Sequence, residues 1–242
     1  MRRIWMVVGI CLVAAPAMAQ DSRVVISAGA SAQPTKASFT DVTTFPYFAE
    51  TARTEGNYRV GDGVAFDVGG IVRVWRGLGV GLAVTRATRD AESETSGSFP
   101  HPFYFGTNRT GTWSSSSLDR EETGVHLSAA WQLPLAPRLQ VSVFGGPTLF
   151  NYKQTVVDDI EVIQSYPYDT IDARLVTGEI DGSAVGFHAG VDVGWFFSRH
   201  IGVGGVLRFA SAKKKGVRIG EGNPFDLEVG GAQGGGGIRL RF

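Results

Sequence analysis

The carboxy-terminal stretch GGGGIRLRF, residues 234–242, contains the alternation that decides the fold. Apolar and cationic residues take turns over its last five positions: Ile238, Arg239, Leu240, Arg241 and Phe242. Because successive side chains of a strand point to opposite faces, one face of this segment is apolar and the other carries two positive charges. Such a strand suits a soluble sheet that buries the apolar face, or a membrane barrel that turns it to lipid and the charges to the lumen.

The same period-two alternation recurs along the chain and predicts a set of strands. The predicted strands are 23–31, 64–75, 78–88, 123–133, 139–149, 185–195, 201–209 and, with a register that its glycines leave open, about 227–242. Each is close to the ~9–11 residues that a tilted strand needs to cross a bilayer.

Long and short connections between these strands alternate strictly. The long ones are 33–58, 89–122, 151–182 and 213–226, and the short ones are 76–77, 134–137 and 198–200. Bacterial membrane barrels have short periplasmic turns and longer outer loops, whereas a soluble sandwich has no reason to place every long loop at one end. The sequence therefore predicts an all-β fold, an eight-stranded antiparallel up-and-down transmembrane β-barrel with long extracellular loops and both termini on the periplasmic side.

The amino terminus supports export from the cytoplasm. Residues 1–19 combine a cationic start, a short apolar run and an Ala-Met-Ala cleavage pattern, so we expect a secretory signal peptide there and the barrel domain in 20–242. Cys11 lies in the signal segment, and we therefore expect no disulfide or thiol chemistry in the exported chain. Near-neutral charge, with 23 Lys and Arg against 23 Asp and Glu, gives no argument for a nucleic-acid partner.

Aromatic side chains are predicted at both edges of the membrane. Trp131, Trp195 and Phe242 end strands at the periplasmic side, where aromatic rings are favoured. Phe66, Phe187 and Phe209 are expected to form the outer girdle. Trp75 also ends a strand, but its parity does not match the lipid-facing set.

The chain resembles the small outer-membrane barrels typified by the OmpA transmembrane domain and OmpX. The resemblance is carried by the terminal alternation ending at Phe242 and by the run VFGGPTLF at residues 143–150. It implies a bacterial outer-membrane location, contact with outer-membrane lipid and lipopolysaccharide, and recognition of the last strand by the barrel assembly machinery. It also implies a monomer without a cofactor, whereas the function of such barrels varies.

Polar residues on the opposite parity are predicted to line the lumen: Asp67, Arg73, His126, Gln132, His188, Asp192, Arg208, Arg239 and Arg241. An eight-stranded barrel has an interior that side chains just fill. Because an unpaired buried charge is costly, we expect these groups to pair and hold the barrel shut. A selective pore lined by the arginines is the alternative.

One lumen pair has the spacing of a catalytic site. His126 and Ser128 share a strand face, as in outer-membrane lipid A deacylases, where an acidic residue orients the histidine. Here Ala129 follows the serine where that motif has asparagine, and Gln140 stands near the place of the acid. We expect the pair to belong to the lumen network, and we expect no catalytic, metal or cofactor site.

The predicted loops carry three groups of residues that suggest contacts. Lys213, Lys214, Lys215 and Arg218 form a cationic cluster at the height of lipopolysaccharide phosphates. The acidic residues of 158–161 are interpreted as a solvated loop, and the aromatic residues of 101–113 either as a contact surface or as rings that pack the loop on itself. The sequence therefore favours a non-enzymatic protein with a structural or surface-interaction role toward an unidentified extracellular ligand. A small-solute channel and a lipid A-modifying enzyme are the alternatives.

Overall fold

The computed structural model describes residues 23–220 and 222–242, so the predicted signal segment lies outside the described residues. The described residues form nine strands in one antiparallel sheet: β1 (Val24–Gln33), β2 (Ala37–Tyr47), β3 (Glu50–Trp75), β4 (Leu78–Pro100), β5 (Asn108–Ala136), β6 (Leu139–Ile163), β7 (Asp172–Phe196), β8 (Ile201–Val217) and β9 (Phe225–Arg241). Within these ranges no helix is long and apolar enough to cross a membrane.

The sheet closes on itself into a barrel. β1 pairs with β3 on one edge and with β9 on the other, from Ala32↔Gly234 to Val25↔Arg241. Reciprocal hydrogen bonds between Val24 and Phe242, of 3.1 and 2.9 Å, extend this pairing to the last residue. In this lower part of the wall every strand pairs on both edges, as a sheet in lipid would require, whereas higher up, among the described residues, β2 pairs only with β3 and the upper part of β9 only with β8.

Nine strands fill eight positions around the ring. β1 pairs with the lower part of β3, and β2 pairs with its upper part from Ala37↔Val60 to Tyr47↔Glu50. β1 and β2 are therefore two halves of one position in the wall, interrupted at residues 34–36. The predicted eight-stranded antiparallel barrel is confirmed, with this one interruption.

Most of the sequence predicted as long loops is strand, and the loop boundaries predicted above are wrong. β4 and β5 stay paired as far as Pro100↔Asn108, and β6 and β7 as far as Ile163↔Asp172. Only short tips remain between the strands, at 48–49, 101–107, 164–171 and 218–224. β6 has 25 residues, against the ~9–11 that cross a bilayer, so the wall continues well beyond any membrane.

The wall changes polarity along its length, which explains the wrong boundaries. On β5 the outward side chains are apolar from Leu133 to Val125 and polar from Thr123 upward. The outward apolar zone, called the apolar band here, lies between the rings of Trp131 and Phe66 on its two edges. Above it the alternation continues with polar residues outside, so the apolar alternation that indicates a strand in the sequence ends there.

The closing seam between β1 and β9 depends on glycine. A Cβ on Gly235 or Gly237 would lie 2.1 Å from the carbonyl oxygen of Ala30 or Ala28, respectively. No larger residue fits at either position without moving the backbone. The glycine run that left the register of this strand open in the sequence is therefore the feature that lets the barrel close.

Candidate functional site

The nine residues predicted to line the lumen all lie on the inward face of the barrel wall. Six are buried and three are partly buried; the buried ones are Asp67, His126, Gln132, His188, Arg208 and Arg239, and the partly buried ones are Arg73, Asp192 and Arg241. They fall into layers stacked along the barrel axis.

The layer nearest the short turns is held by arginines. Arg239 binds the Asp192 carboxylate, with its Nε 3.0 Å from Oδ2. Arg73 donates from Nε to Oε1 of Gln132 at 3.1 Å. Arg241 lies at the mouth, where its guanidinium is 4.1 Å from the centre of the Phe196 ring. Its Nε donates to a carbonyl of the turn between β7 and β8 at 2.9 Å. These contacts occupy the charged groups at this end of the lumen.

The middle layer is a chain of hydroxyl and imidazole groups that crosses the lumen. His126 bonds Thr85 at 2.9 Å and Thr148 at 2.8 Å, and His188 bonds Thr148 and Ser128, each at 2.8 Å. Four neighbouring strands, β4 to β7, each contribute to this chain. It joins the strands through buried hydroxyl and imidazole groups that would otherwise have no hydrogen-bond partner inside the apolar band.

This geometry does not support the deacylase alternative. Ser128 bonds His188 on β7 rather than His126 on its own strand, and the ring nitrogens of both histidines bond hydroxyl groups. A serine–histidine pair needs a third group that orients the base, and a hydroxyl does not stabilise an imidazolium as a carboxylate does. Ser128 is also buried, out of reach of lipid acyl chains outside the wall.

A small cavity of about 50 Å³ lies between these two layers, lined by Asp67, Ser128, Ser142, Arg208 and Arg239 among others. A water molecule takes up about 30 Å³ of the liquid. The cavity therefore accommodates water and is too small for an organic solute.

A third layer, the Arg89–Arg120–Glu122 cluster, was not predicted. Glu122 accepts a hydrogen bond from Nε of Arg120 at 2.7 Å and from the backbone N–H of Gly230 at 2.9 Å, and it also contacts Arg89. Arg89 donates to the carbonyl of Thr35 at 3.0 Å. The cluster falls in a stretch predicted as loop. The sequence signal for this cluster was strand alternation. Arg89 lies two and four residues after Ala87 and Thr85, so it points into the lumen as they do.

An apolar core fills the barrel above this cluster. It includes Phe39, Tyr58, Leu118, Val156 and Leu227, all buried. The Phe39 and Tyr58 rings stack with centres 4.5 Å apart. The Tyr58 hydroxyl accepts the backbone N–H of Val157 at 3.1 Å, and burial raises the pKa of Tyr58 to about 12, so the group stays neutral. Three polar layers and an apolar core thus lie one above another along the axis.

The outer surface carries the predicted aromatic rings. All of them are exposed on the outward face: Trp131, Trp195 and Phe242 toward the short turns, and Phe66, Phe187 and Phe209 toward the other edge of the apolar band. Trp75 is exposed as well, because the register shifts between Arg73 and Trp75 and changes its parity.

The predicted cationic cluster lies on strand more than on loop. Lys213 to Lys215 belong to the end of β8, and only Arg218 lies in the tip that follows. All four side chains are exposed, and Lys213 pairs with Asp226 at 3.1 Å.

The tips opposite the short turns expose aromatic rings. These rings form the aromatic tip, defined as Phe48, Phe103, Tyr104, Phe105 and Tyr166, with exposures that reach 85% for Phe105. Ring contacts below it join three hairpins. The ring centres of Tyr47 and Phe99 are 5.8 Å apart, and those of Phe103 and Tyr168 are 5.4 Å apart. The tip is therefore braced from beneath while its own rings face solvent.

Comparison with known proteins gives a likeness of fold. No protein-family model matches the chain, and no curated protein sequence matches it. Among solved structures, the outer membrane protein OprG from Pseudomonas aeruginosa superposes with a TM-score of 0.56 at 9% identity, over 91% of this chain and 96% of that one. Neisserial surface protein A gives a TM-score of 0.45 at 11% identity, over 90% and 97%. The first of these shows that the chain has the fold of a small outer-membrane β-barrel.

Proposed function

We propose that this protein is an integral barrel of the bacterial outer membrane, monomeric and non-enzymatic, that acts by contact at its extracellular end. The observation that carries the proposal is the contrast between a lumen filled by ion pairs such as Arg239–Asp192 and Arg89–Glu122 and by an apolar core, and an outer end that exposes a braced set of aromatic rings.

The membrane location is supported by the surface of the wall. In the apolar band Leu127, Val193 and Leu207 face outward and are exposed, whereas charged residues lie in the lumen of the same closed wall. This is the reverse of a soluble barrel, which would bury those side chains. The aromatic rings at both edges of the band fit the two interfaces of a bilayer. We propose lipid and lipopolysaccharide as its surroundings, with the Lys213–Lys215 cluster near the phosphates and the last strand as the segment that the assembly machinery recognises.

The contact role is supported by the aromatic tip. Singly exposed apolar residues are ordinary on protein surfaces, but an exposed cluster marks an interaction site. Phe103, Tyr104 and Phe105 are consecutive and all exposed. Tyr168 of the next hairpin contacts Phe103 on one side and Tyr166 on the other. Aromatic rings supply a large contact area at a low cost in side-chain entropy.

The closed lumen is tested by reconstitution into planar bilayers. The wild-type protein is expected to show no steady conductance, because a solute on the axis would have to break the ion pairs of Arg239 and Glu122 and then cross the apolar core. A stable open channel in the wild-type protein would contradict the proposal and favour the small-solute channel instead.

The contact role is tested on intact cells that display the protein, by their retention on phenyl-agarose beads. Replacing Phe103, Tyr104 and Phe105 by Ser is expected to lower retention several-fold. Phe197→Ser is the matched control: its ring is exposed too, but at the end of the short turns, and retention should not change. Equal retention of the triple variant and the wild type at equal surface expression would contradict a role for the tip.

A further inference from the structure

A cavity of about 470 Å³ opens in the part of the barrel beyond the apolar band, and it is called the vestibule here. Its walls come from inward residues of β2, β3, β4 and β6 and from the tip between β8 and β9. Its base rests on the apolar core at Tyr58, Val157 and Ile219. The volume is within the range of ~300–1,000 Å³ typical of small-molecule sites.

Three carboxylates line the vestibule: Asp41, Asp158 and Asp159. Among the described residues that line it none is Lys or Arg, so no cationic side chain of the lining neutralises the buried Asp41 or the exposed Asp158 and Asp159. The stretch 158–161, interpreted from sequence as a solvated acidic loop, is instead part of β6, and a register shift between Val157 and Asp159 interrupts its alternation.

Asp41 makes this charge unusual because it is buried. Only 9% of the residue is exposed, and its Oδ1 has no hydrogen-bond partner. The other oxygen lies 3.5 Å from the Thr43 hydroxyl, and the backbone N–H of Val42 also interacts with the carboxylate. Burial raises the pKa of Asp41, as expected for a carboxylate that lacks a compensating cation. A buried polar group without a partner calls for an explanation, and a missing ligand supplies one.

Two of the carboxylates lie near Gly220 and Gly222. A Cβ on Gly222 would lie 2.6 Å from Oδ1 of Asp41, and one on Gly220 would lie 3.7 Å from Oδ1 of Asp158. The tip between β8 and β9 is held to β2 by a 3.1 Å hydrogen bond from the N–H of Asn223 to the carbonyl of Val42. Both acids also act on Tyr58 through their charge, so they converge on the same part of the vestibule.

The remaining walls combine apolar and aromatic side chains with the hydroxyl groups of Thr43, Thr54 and Thr95. Phe45, Tyr58, Ile160 and Ile219 face the same space as the carboxylates. In the part of the chain that the structure describes, no three side chains of His, Cys, Asp or Glu come together as metal ligands. The vestibule therefore offers negative charge beside apolar surface, which suits an organic cation better than a metal ion. Aromatic rings add to this, since their faces attract ammonium groups.

We infer that the vestibule binds a small organic cation, an ammonium group on an apolar body, with Asp41 and Asp158 facing the charge and Phe45 and Ile160 facing the body. The inference rests on the proposed contact role and gives it a ligand class. The cation offsets the charge that the fold leaves uncompensated, and the apolar body covers side chains that water otherwise meets.

The test is isothermal titration of the purified full-length barrel in detergent with 2-phenylethylamine, which is protonated at neutral pH. The neutral analogue 2-phenylethanol has nearly the same shape and is expected to bind at least about tenfold more weakly. Asp41→Asn and Asp158→Asn are each expected to raise the Kd for the amine about tenfold. Asp181→Asn, which removes an exposed outward acid of β7, is the control and should leave the Kd within about twofold.

Three results would overturn the inference: equal binding of the amine and the alcohol by the wild type, unchanged binding in both vestibule variants, or full displacement of the amine by millimolar calcium. If Asp41→Asn does not fold, the Asp158→Asn variant and the comparison of the two ligands on the wild type still decide. Circular dichroism on the same samples checks the fold. Because the titration is done in detergent, a negative result with a folded barrel leaves the membrane and conductance proposals standing.

Discussion

At the scale of single residues, the barrel gives neighbouring identical side chains opposite roles. Glu121 points outward and pairs with Arg86 at 2.9 Å in an exposed contact. Glu122 points inward, is 3% exposed, and binds two arginines and a backbone N–H. The two residues are the same amino acid at consecutive positions, so residue type does not distinguish them. The difference comes from strand parity, which sends one to water and the other to the layer that seals the lumen.

Glu122→Gln is therefore expected to destabilise the barrel strongly. The neutral amide leaves Arg89 and Arg120 buried without a counter-charge, and losing one partner of a buried ion pair costs about 3–5 kcal/mol. Glu121→Gln is the matched control and should change the free energy of unfolding by at most about 1 kcal/mol, as exposed pairs do. Urea unfolding in lipid vesicles, followed by tryptophan fluorescence, measures both; similar small changes would mean that the cluster does not hold the lumen shut.

At the scale of the strand, one continuous element serves two environments. Along β5 the outward residues Leu127 and Val125 are apolar, whereas Thr123 and those above are polar. Inside, His126 and Ser128 lie below, Glu122 and Arg120 follow, and the apolar Leu118 lies above them. The hydrogen-bond ladder to β4 continues through this change with one register shift, between Ala91 and Ser93. Polarity, and not the backbone, marks where the apolar band ends.

A depth series on β5 tests this boundary. Leu127→Arg places a charge in the middle of the apolar band and is expected to lower the free energy of unfolding in lipid by about 2–4 kcal/mol. Thr123→Arg, on the same face and four residues higher, lies at the edge of the band and should cost about 0–1 kcal/mol. The measurement is urea unfolding in vesicles. Equal costs at the two positions would contradict a membrane edge between them.

At the scale of the whole molecule, the two ends of the barrel differ in construction. Short turns, Arg241 and both ends of the described chain lie at one end, and the hairpin tips with the vestibule and the aromatic tip lie at the other. Between them the layers of Arg239, His188 and Glu122 close the axis. This asymmetry fits the proposed contact role, which would use one end only and would need a fixed orientation in the membrane.

The orientation predicts which segments can be reached from outside the cell. An epitope inserted in the 101–107 tip should bind antibody on intact cells. The same epitope inserted in the turn between β5 and β6, next to Arg138, should bind only after the outer membrane is permeabilised. Flow cytometry before and after permeabilisation measures this, and labelling of the Arg138 insertion on intact cells would reverse the assignment.

Within the apolar band the sequence by itself determined the strand parity, the eightfold ring and the inward placement of residues such as Asp192 and Arg239, because alternation is a local property of each strand. Only the tertiary structure decided which of these groups meet: Ser128 bonds a histidine from another strand, and Glu122 joins arginines from two strands, since such contacts depend on register around the ring. It also decided that the predicted loops are wall and that Asp41 and Asp158 share one cavity. Beyond the apolar band the outer face becomes polar and the inner face carries both polar and apolar side chains, so the local pattern no longer says which side chains face the lumen until the strands are paired.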